Sequence, residues 1–154
     1  MQVIDVEQKS LDWHKLRAGK VTGTKLSSAI GSPKVQETLS FKLISERMTE
    51  LQVKDFQTEA MQRGNDLEPF AIKAAEDILG IKFSTAGFLK HEILEFGISP
   101  DAVCYDQDLS VIGGLEVKCP NSEKHIEYLL NDEVPKIYRT QVMAPFVMSD
   151  SVKW

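Results

Sequence analysis

Residues 99–120 constrain the fold of this 154-residue chain more than any other stretch. Their second half, residues 115–119, alternates apolar and charged side chains, which is typical of a β-strand with two different faces. Glu116 and Lys118 therefore share one face of the predicted strand. Asp101 lies where a turn would return the chain beside Glu116. The sequence thus predicts two neighbouring strands that bring the Asp101 and Glu116 carboxylates together.

Two carboxylates this close repel each other unless a cation joins them. Hard divalent cations such as Mg²⁺ bind carboxylate oxygens, keep several waters and accept phosphate oxygens from a substrate. The Lys118 ammonium, about 6–7 Å along the same face, could orient or deprotonate an attacking water. Pro-Asp followed by Glu-x-Lys resembles the PD-(D/E)xK signature of nucleases. A half-buried strand with two solvated charges is the alternative that the pattern alone leaves open.

Length and composition indicate a single domain over residues 1–154, with enough apolar residues for a hydrophobic core. No apolar run reaches the roughly 18 residues of a transmembrane helix, and the N-terminus lacks the basic and apolar regions of a signal peptide. Cys104 and Cys119 do not have the spacing of a zinc site. We therefore expect reduced thiols, no membrane association and a cytoplasmic location.

Charge is unevenly distributed along the chain. The net charge of −5 argues against a nucleic-acid binder. However, six basic residues and a single acidic residue, Asp12, lie between Lys9 and Gln36. This basic segment is either a solvated face, which composition alone favours, or a region that binds phosphate groups.

Helical periodicity and capping residues predict most of the helices. Ser10 is a candidate N-cap for a short helix over residues 11–18, and Gly19 suits its left-handed end. Thr22 is a candidate N-cap for a second short helix, whose free N–H groups beside Arg17 could bind a phosphate. Simple capping by Thr22 is the alternative that composition favours. Further helices are predicted over residues 37–53, 59–79 and 122–130, and from Pro135 onward.

The long helix over residues 59–79 contains Pro69. Because a proline inside a helix costs about 3 kcal/mol, the helix either begins nearer Leu67 or kinks at the proline. Gly64 lies one turn before Glu68 and would leave open space beside the Glu68 carboxylate. The helix dipole explains a glutamate in this position but not the neighbouring glycine.

Patterns of period two predict strands over residues 82–89, 95–98, 101–105 and 111–119, with a turn at residues 106–108. We interpret them as an antiparallel meander, followed by a helix with Ser122 as its N-cap. Residues 152–154 resemble the start of a further strand, so the chain is expected to be truncated. The predicted fold class is α/β (α+β), with a small mixed, largely antiparallel central sheet flanked by helices in a restriction-endonuclease-like core.

Several collinear segments resemble the phage lambda exonuclease and YqaJ-type viral recombinase family. They are residues 13–17 and 21–24, Arg63-Gly64 with Glu68, residues 99–101 and 115–120, and Tyr138 with Gln141-Val142. The resemblance implies a metal-dependent exonuclease that digests linear double-stranded DNA from 5′ ends and leaves 3′ single-stranded overhangs for phage recombination. It also implies a ring-shaped homotrimer around DNA and a single-strand annealing protein as partner.

The resemblance further implies roles for individual residues. Asp101 and Glu116 would bind Mg²⁺, with Mn²⁺ as a substitute, beside the Val117 carbonyl. Lys118 would act on the water nucleophile, and Glu68 would support a second ion. The remaining implied site residues are Arg17, Thr24 and Ser99 for the terminal 5′-phosphate, Lys124 for DNA, and Gln141 for support of the active site.

The chain departs from the family pattern in several places. Ala102 replaces a glycine, Thr24 replaces a serine and keeps the hydroxyl, and Met143 replaces a glutamine. The family's last strand and C-terminal helix are missing, so ring assembly does not follow for this chain. The alternatives are a PD-(D/E)xK endonuclease, a Cas4/RecB-type nuclease or a non-catalytic domain that binds DNA ends. Lys118 together with both carboxylates disfavours the last.

Overall fold

The computed structural model describes residues 1–50 and 58–148, in which helices alternate with short strands. The helices are α1 (Leu11–Arg17), α2 (Leu26–Ala29), α3 (Pro33–Thr49), α4 (Glu59–Leu79), α5 (Ser122–Asn131) and α6 (Lys136–Met143). The strands are β1 (Gln2–Ile4), β2 (Val21–Thr22), β3 (Phe88–Lys90), β4 (Phe96–Ile98), β5 (Ala102–Tyr105) and β6 (Val111–Leu115). Short 3₁₀ helices, Gly23–Lys25 and Ala144–Val147, lie before α2 and after α6.

The strands form a mixed, largely antiparallel arrangement, which confirms the predicted fold class. One sheet has the order β1-β3-β4-β2, in which only β2 and β4 run parallel. A second sheet consists of the hairpin β5-β6. Ser84 and Val103 form an isolated bridge between the segment before β3 and this hairpin. The expected single meander is wrong, because β4 and β5 belong to different sheets and the intervening Pro100 cannot donate a ladder hydrogen bond.

Two of the predicted strands are shorter than expected. The strand predicted over residues 111–119 ends at Leu115, so the four following residues lie outside the sheet. At this point the Asp101 carboxylate accepts the Val117 N–H, at 2.6 Å, where a strand would use a backbone carbonyl. The strand predicted over residues 82–89 is reduced to β3. The predicted turn at residues 106–108 is confirmed, since Asp106 Oδ1 accepts the N–H groups of Asp108 and Ser110.

Helix α1 begins and ends as the sequence predicts. Ser10 Oγ accepts the Trp13 N–H at 3.2 Å, and Gly19 has a φ of 68°. Thr22 takes the N-cap position of the 3₁₀ helix Gly23–Lys25 that leads into α2, but its side chain makes no capping bond, although its hydroxyl lies 3.3 Å from that of Thr24. The other predicted cap, Ser122, is wrong. The N-cap of α5 is Asn121, one residue before the predicted position, because its side chain reaches the N–H three residues on.

The long helices differ from the predictions mainly at their starts. Helix α3 begins at Pro33 rather than residue 37, since proline is well suited to the first turn of a helix. Helix α4 begins at residue 59 with Thr58 as its N-cap, so the alternative start near Leu67 is wrong and Pro69 lies inside the helix. Its end at Gly80 is as predicted. Helix α3 ends at Thr49, before the predicted end at residue 53, because Glu50 takes a left-handed conformation with a φ of 55°. The strand expected at residues 152–154 lies outside the described residues.

The hydrophobic core lies where both sheets meet the C-terminal 3₁₀ helix. Its buried members are Ala86, Leu89, Phe96, Ile98, Val103, Val111, Ala144 and Met148. Ile98 ends β4, and Ala102, which is also buried, begins β5. The core therefore fixes both ends of the turn formed by residues 99–101. Among the described residues, no helix has the length and apolar composition needed to cross a membrane.

A buried ion pair joins α3 to the segment between α1 and α2. Glu46 is 0% exposed, and its Oε2 accepts bonds from Lys25 Nζ at 2.7 Å and from the Gly19 N–H at 3.1 Å. Arg47 Nη2 donates to the Gly19 carbonyl at 3.2 Å. These contacts fix the turn that follows α1.

Replacing Lys25 by methionine should destabilise the protein strongly. The change leaves the Glu46 carboxylate buried without its partner, which typically costs about 3–5 kcal/mol. We expect that loss in the free energy of unfolding measured in urea. Lys20→Met is the matched control, because Lys20 forms a 3.5 Å pair with Glu95, an exposed residue, and such pairs contribute less than about 1 kcal/mol. Equal losses in both variants would contradict a stabilising role for the buried pair.

Candidate active site

A cleft of about 500 Å³ opens between α1, the turn at residues 99–101, the segment after β6, and α6. Most of the residues singled out in the sequence line it: Arg17, Thr24, Ser99, Asp101, Glu116, Lys118 and Gln141. The turn is held from outside by Gln8, whose Nε2 donates to the carbonyls of Ala86 at 2.7 Å and Pro100 at 2.9 Å. The cleft is thus assembled from segments that are far apart in the chain.

Asp101 and Glu116 lie next to each other at one end of the hairpin. Ala102 and Leu115 are the last paired residues of β5 and β6, so Asp101 and Glu116 follow directly on neighbouring strands. Burial raises the pKa of Asp101, whereas the bond from the Val117 N–H opposes this rise. Burial also raises the pKa of Glu116, and the Asp101 carboxylate raises it further. The two carboxylates therefore interact electrostatically in a partly desolvated site.

Polar side chains surround the Glu116 carboxylate. Its Oε1 accepts hydrogen bonds from both Lys118 Nζ and Gln141 Nε2. Lys118 Nζ also lies 3.3 Å from the Val117 carbonyl and 5.6 Å from the centre of the Tyr138 ring. The Lys118 ammonium is thus held beside Glu116 at the edge of the cleft, where its charge lowers the pKa of that carboxyl against the effect of burial.

Glu68 approaches the same carboxylates from α4. Burial raises the pKa of Glu68 and the Asp101 carboxylate raises it further, while Lys9 and Lys118 oppose the rise. Glu68 and Asp101 line a second cavity of about 450 Å³, together with Lys9. A Cβ added at Gly64 would meet no atom within 4 Å, so the helix does leave open space one turn before Glu68. Glu68 therefore lines this second cavity and not the cleft itself, but it interacts electrostatically with Asp101 and Glu116. We call these three carboxylates the acidic end of the site.

The other end of the cleft is basic. Arg17 is 8% exposed, and its Nη1 donates to Ser99 Oγ at 3.0 Å. Trp13 Nε1 donates to the same oxygen at 2.9 Å, and the Arg17 guanidinium lies 4.0 Å from the Trp13 ring centre. Burial lowers the pKa of Arg17 to about 10, against the opposing charge of Glu46. Arg17 is therefore charged at neutral pH, and the Ser99 hydroxyl, having accepted two bonds, is left to donate its own proton.

Lys124 does not lie in this cleft. It is in the first turn of α5, where its Nζ pairs with Glu127 at 2.7 Å in a separate groove beside Tyr128. Sequence reasoning also missed contacts of Trp13 and Tyr138. The spacing of Trp13 and Arg17, one helical turn apart, could have indicated the first contact. Nothing local in the sequence indicates the second.

Whether this site could bind a metal ion depends on the kind and number of its donor atoms. Within the described ranges, no group of three or more His, Cys, Asp and Glu side chains is arranged to hold a metal ion. Mg²⁺, however, is usually bound by one or two carboxylates together with waters and substrate phosphates. Asp101, Glu116 and the Val117 carbonyl are hard oxygen donors of this kind. They fit an ion whose coordination the substrate and waters complete.

Comparisons with known proteins agree with this geometry. The YqaJ-like viral recombinase domain family matches residues 12–151. The alkaline exonuclease LHK-Exo from Laribacter hongkongensis is similar, with a TM-score of 0.77 and 28% identity, over 90% of this chain and 68% of that one. LHK-Exo in complex with dAMP gives a TM-score of 0.74 and 30% identity, over 89% and 69% of the two chains. No curated protein sequence matches significantly. The chain therefore belongs to the YqaJ-like viral recombinase domain family and has the PD-(D/E)xK-type fold of an alkaline exonuclease.

Proposed function

We propose that this protein is a metal-dependent exonuclease that digests linear double-stranded DNA from its 5′ ends and leaves 3′ overhangs for phage recombination. Family membership and structural neighbours support a nuclease. One observation carries the finer proposal. The basic pocket of Arg17 and Ser99 opens into the same cleft as Asp101, Glu116 and Lys118. A terminal phosphate held at the basic end would bring a phosphodiester to the acidic end.

The chain's own groups have distinct tasks in this proposal. Asp101, Glu116 and the Val117 carbonyl would hold Mg²⁺, or Mn²⁺ in its place, which would stabilise negative charge on the scissile phosphate. Glu68 would help to hold a second ion. Lys118, whose ammonium donates to Glu116, would also donate a hydrogen bond to the oxygen of the attacking water and hold it in place. Its positive charge would stabilise the hydroxide that remains when the water releases its proton to solvent.

Gln141 and the phosphate pocket would fix geometry rather than take part in proton transfer. The Gln141 amide donates to Glu116 Oε1 and so restrains the carboxylate that orients Lys118. Arg17, Ser99 and Thr24 would bind the 5′-phosphate through charge and hydroxyl donors. LHK-Exo has been crystallised with dAMP, a mononucleotide of the kind that stepwise digestion releases. This supports a site that accepts a nucleotide phosphate.

Two further parts of the proposal concern partners. We expect a ring-shaped homotrimer and a single-strand annealing protein that binds the exposed 3′ strand, in the cytoplasm where the DNA substrate lies. Both expectations come from the family. We also propose that Lys124, which lies on α5 outside the cleft, contacts DNA where the duplex extends beyond the cleft. Sedimentation of the protein with and without DNA measures the assembly state directly.

We expect cleavage to require a DNA end. With Mg²⁺, a linear duplex carrying 5′-phosphates should be degraded, and label at the 5′ ends should be released before label at the 3′ ends. Covalently closed circular DNA should remain intact, because it has no terminal phosphate for the basic pocket. Nicking of closed circles would favour the alternative of a restriction-type or Cas4/RecB-type endonuclease on the same core.

Lys118→Ala should separate chemistry from binding. Because the lysine acts on the nucleophile, we expect kcat to fall by at least about 100-fold. The Kd for duplex DNA, measured by fluorescence anisotropy without a divalent cation, should change less than about twofold. Lys82→Ala is the matched control, since Lys82 is 83% exposed and pairs with Glu76 away from the cleft. An unchanged kcat in Lys118→Ala would remove the lysine from the mechanism.

Ser99→Ala should weaken recognition of the 5′-phosphate. The variant loses a hydroxyl donor and the oxygen that orients Arg17 and Trp13. A hydrogen bond to a charged group contributes about 1.5–3 kcal/mol, so the ratio of kcat/KM for 5′-phosphate ends over 5′-hydroxyl ends should fall about tenfold or more. Ser110→Ala, in the exposed β5-β6 turn, should leave the ratio unchanged. A similar loss with both kinds of end would argue against phosphate recognition by Ser99.

A further inference from the structure

Helix α4 carries Glu68 to the acidic end of the site, but apolar packing does little to fix its position. Of its residues, all of which the structure describes, none has a buried side chain. Phe70 is 72% exposed and Ile78 is 82% exposed. Since burial of apolar surface is what normally anchors a helix, the placement of α4 must depend on polar contacts to a large extent.

Besides the pair of Lys82 and Glu76, three further polar contacts join α4 to other described segments. Lys9 Nζ donates to Asn65 Oδ1 at 3.1 Å. Glu76 Oε1 accepts the N–H of Phe83 at 3.0 Å, near the far end of the helix. Arg63 Nη1 donates to two consecutive backbone carbonyls, at 3.2 and 3.0 Å, and those carbonyls belong to Cys119 and Pro120. Of these three contacts, the one made by Arg63 reaches the segment that directly follows Lys118.

The position of Arg63 links two parts of the acidic end. Arg63 and Glu68 lie five residues apart on one helix, a rise of about 7.5 Å. Cys119 and Pro120 follow within four residues of Glu116. A helix is rigid over so short a length, so a contact that holds Arg63 against these carbonyls also sets the distance between Glu68 and Glu116.

Electrostatic repulsion between the acids is a force that such a contact would oppose. The carboxylates of Glu68, Asp101 and Glu116 each repel at least one of the others. On a helix without buried side chains, this repulsion favours movement of Glu68 away from the cleft whenever no cation lies between the acids. The bonds from Arg63 oppose that movement through neutral carbonyl acceptors, so they persist whether or not the acids are neutralised.

We propose that Arg63 is a positioning residue, whose guanidinium holds the backbone at Cys119 and Pro120 and thereby fixes Glu68 opposite Asp101 and Glu116. This inference rests on the proposed nuclease function of the acidic end. It assigns Arg63 no contact with DNA and no part in proton transfer. Its effect on the reaction is transmitted through Glu68.

Arg63→Met tests this role, because it keeps much of the apolar stem and removes every donor. Calorimetric titration of the protein with Mn²⁺, in the absence of DNA, should show affinity reduced about tenfold. In cleavage of linear duplex, kcat should fall about tenfold with KM unchanged. Arg63→Lys, which keeps the charge and one flexible donor group, should recover part of both losses. Lys73→Met is the control on the same helix, as Lys73 pairs with Asp77 on the exposed surface.

A double-mutant cycle separates positioning from other roles. If Arg63 acts through Glu68, Arg63→Met should have little further effect on Mn²⁺ affinity or kcat once Glu68→Gln is present. Additive losses would overturn the proposal. A raised KM with a shallower salt dependence of DNA binding would also overturn it, since that result identifies a phosphate contact.

The experiment remains decisive if one variant does not fold. Circular dichroism shows whether Arg63→Met retains its helices, and Arg63→Lys supplies the same comparison in a milder form. Absence of cleavage by the wild-type protein with any cation would overturn the proposed function. The Mn²⁺ titration would still show whether Arg63 positions Glu68, so the two failures can be told apart.

Discussion

The hydrogen bond from the Val117 N–H to the Asp101 carboxylate is the interaction on which the acidic end of the cleft depends. It lies directly beyond the last backbone pair of the β5-β6 hairpin. A carbonyl in that position would extend the ladder and keep Glu116 and Lys118 on a flat sheet. The side-chain acceptor ends the ladder instead. Buried residues hold the start of β5, next to Asp101, and the segment after β6 is bonded to the Asp101 carboxylate.

Charge divides the cleft into two regions with different tasks. At the acidic end, burial raises the pKa values of Asp101, Glu116 and Glu68, and repulsion by neighbouring carboxylates raises those of Glu116 and Glu68 further. In the proposed function, a divalent cation would stabilise the charged carboxylates and reduce their repulsion of DNA. At the basic end, Arg17 is already charged and oriented by Ser99. An anion can therefore bind there before any cation is present.

Sequence patterns predicted the helices well where local groups fix their ends, as at Ser10 and Gly80. They failed where a contact between distant segments determines where an element begins or ends. The alternation of residues 115–119 is typical of a strand. In the structure, however, the Asp101 side chain takes the place of the backbone carbonyl that would accept the Val117 N–H in a ladder. Helix α4 continues through Pro69, although proline has no N–H to donate to the Asn65 carbonyl one turn earlier.

Prediction of the site residues was limited in the same way, by contacts between distant segments. Asp101, Glu116 and Lys118 could be picked out because a strand pattern and a turn bring them together. Thr24 and Ser99 came only from resemblance to a family, whereas Arg17 was also a candidate phosphate contact beside a predicted helix N-terminus. The bond between Trp13 and Ser99 joins residues 86 positions apart, and no period or spacing in the chain encodes such a contact. Arg63 belongs to a segment that resembles the family. Its acceptors, the carbonyls of Cys119 and Pro120, could not be predicted, because the sequence pattern placed residues 115–119 in a strand.

The two ends of the cleft also differ in how firmly they are held. The basic end rests on the buried pair of Lys25 and Glu46 and on a guanidinium that is 8% exposed. The acid from α4 rests on a helix without buried side chains. In the proposed stepwise digestion, each new terminal phosphate would have to return to the same place, and a rigid basic end would fix that register. Glu68 would depend instead on the polar contacts of α4, those of Arg63 among them, to keep its place as charge arrives and leaves.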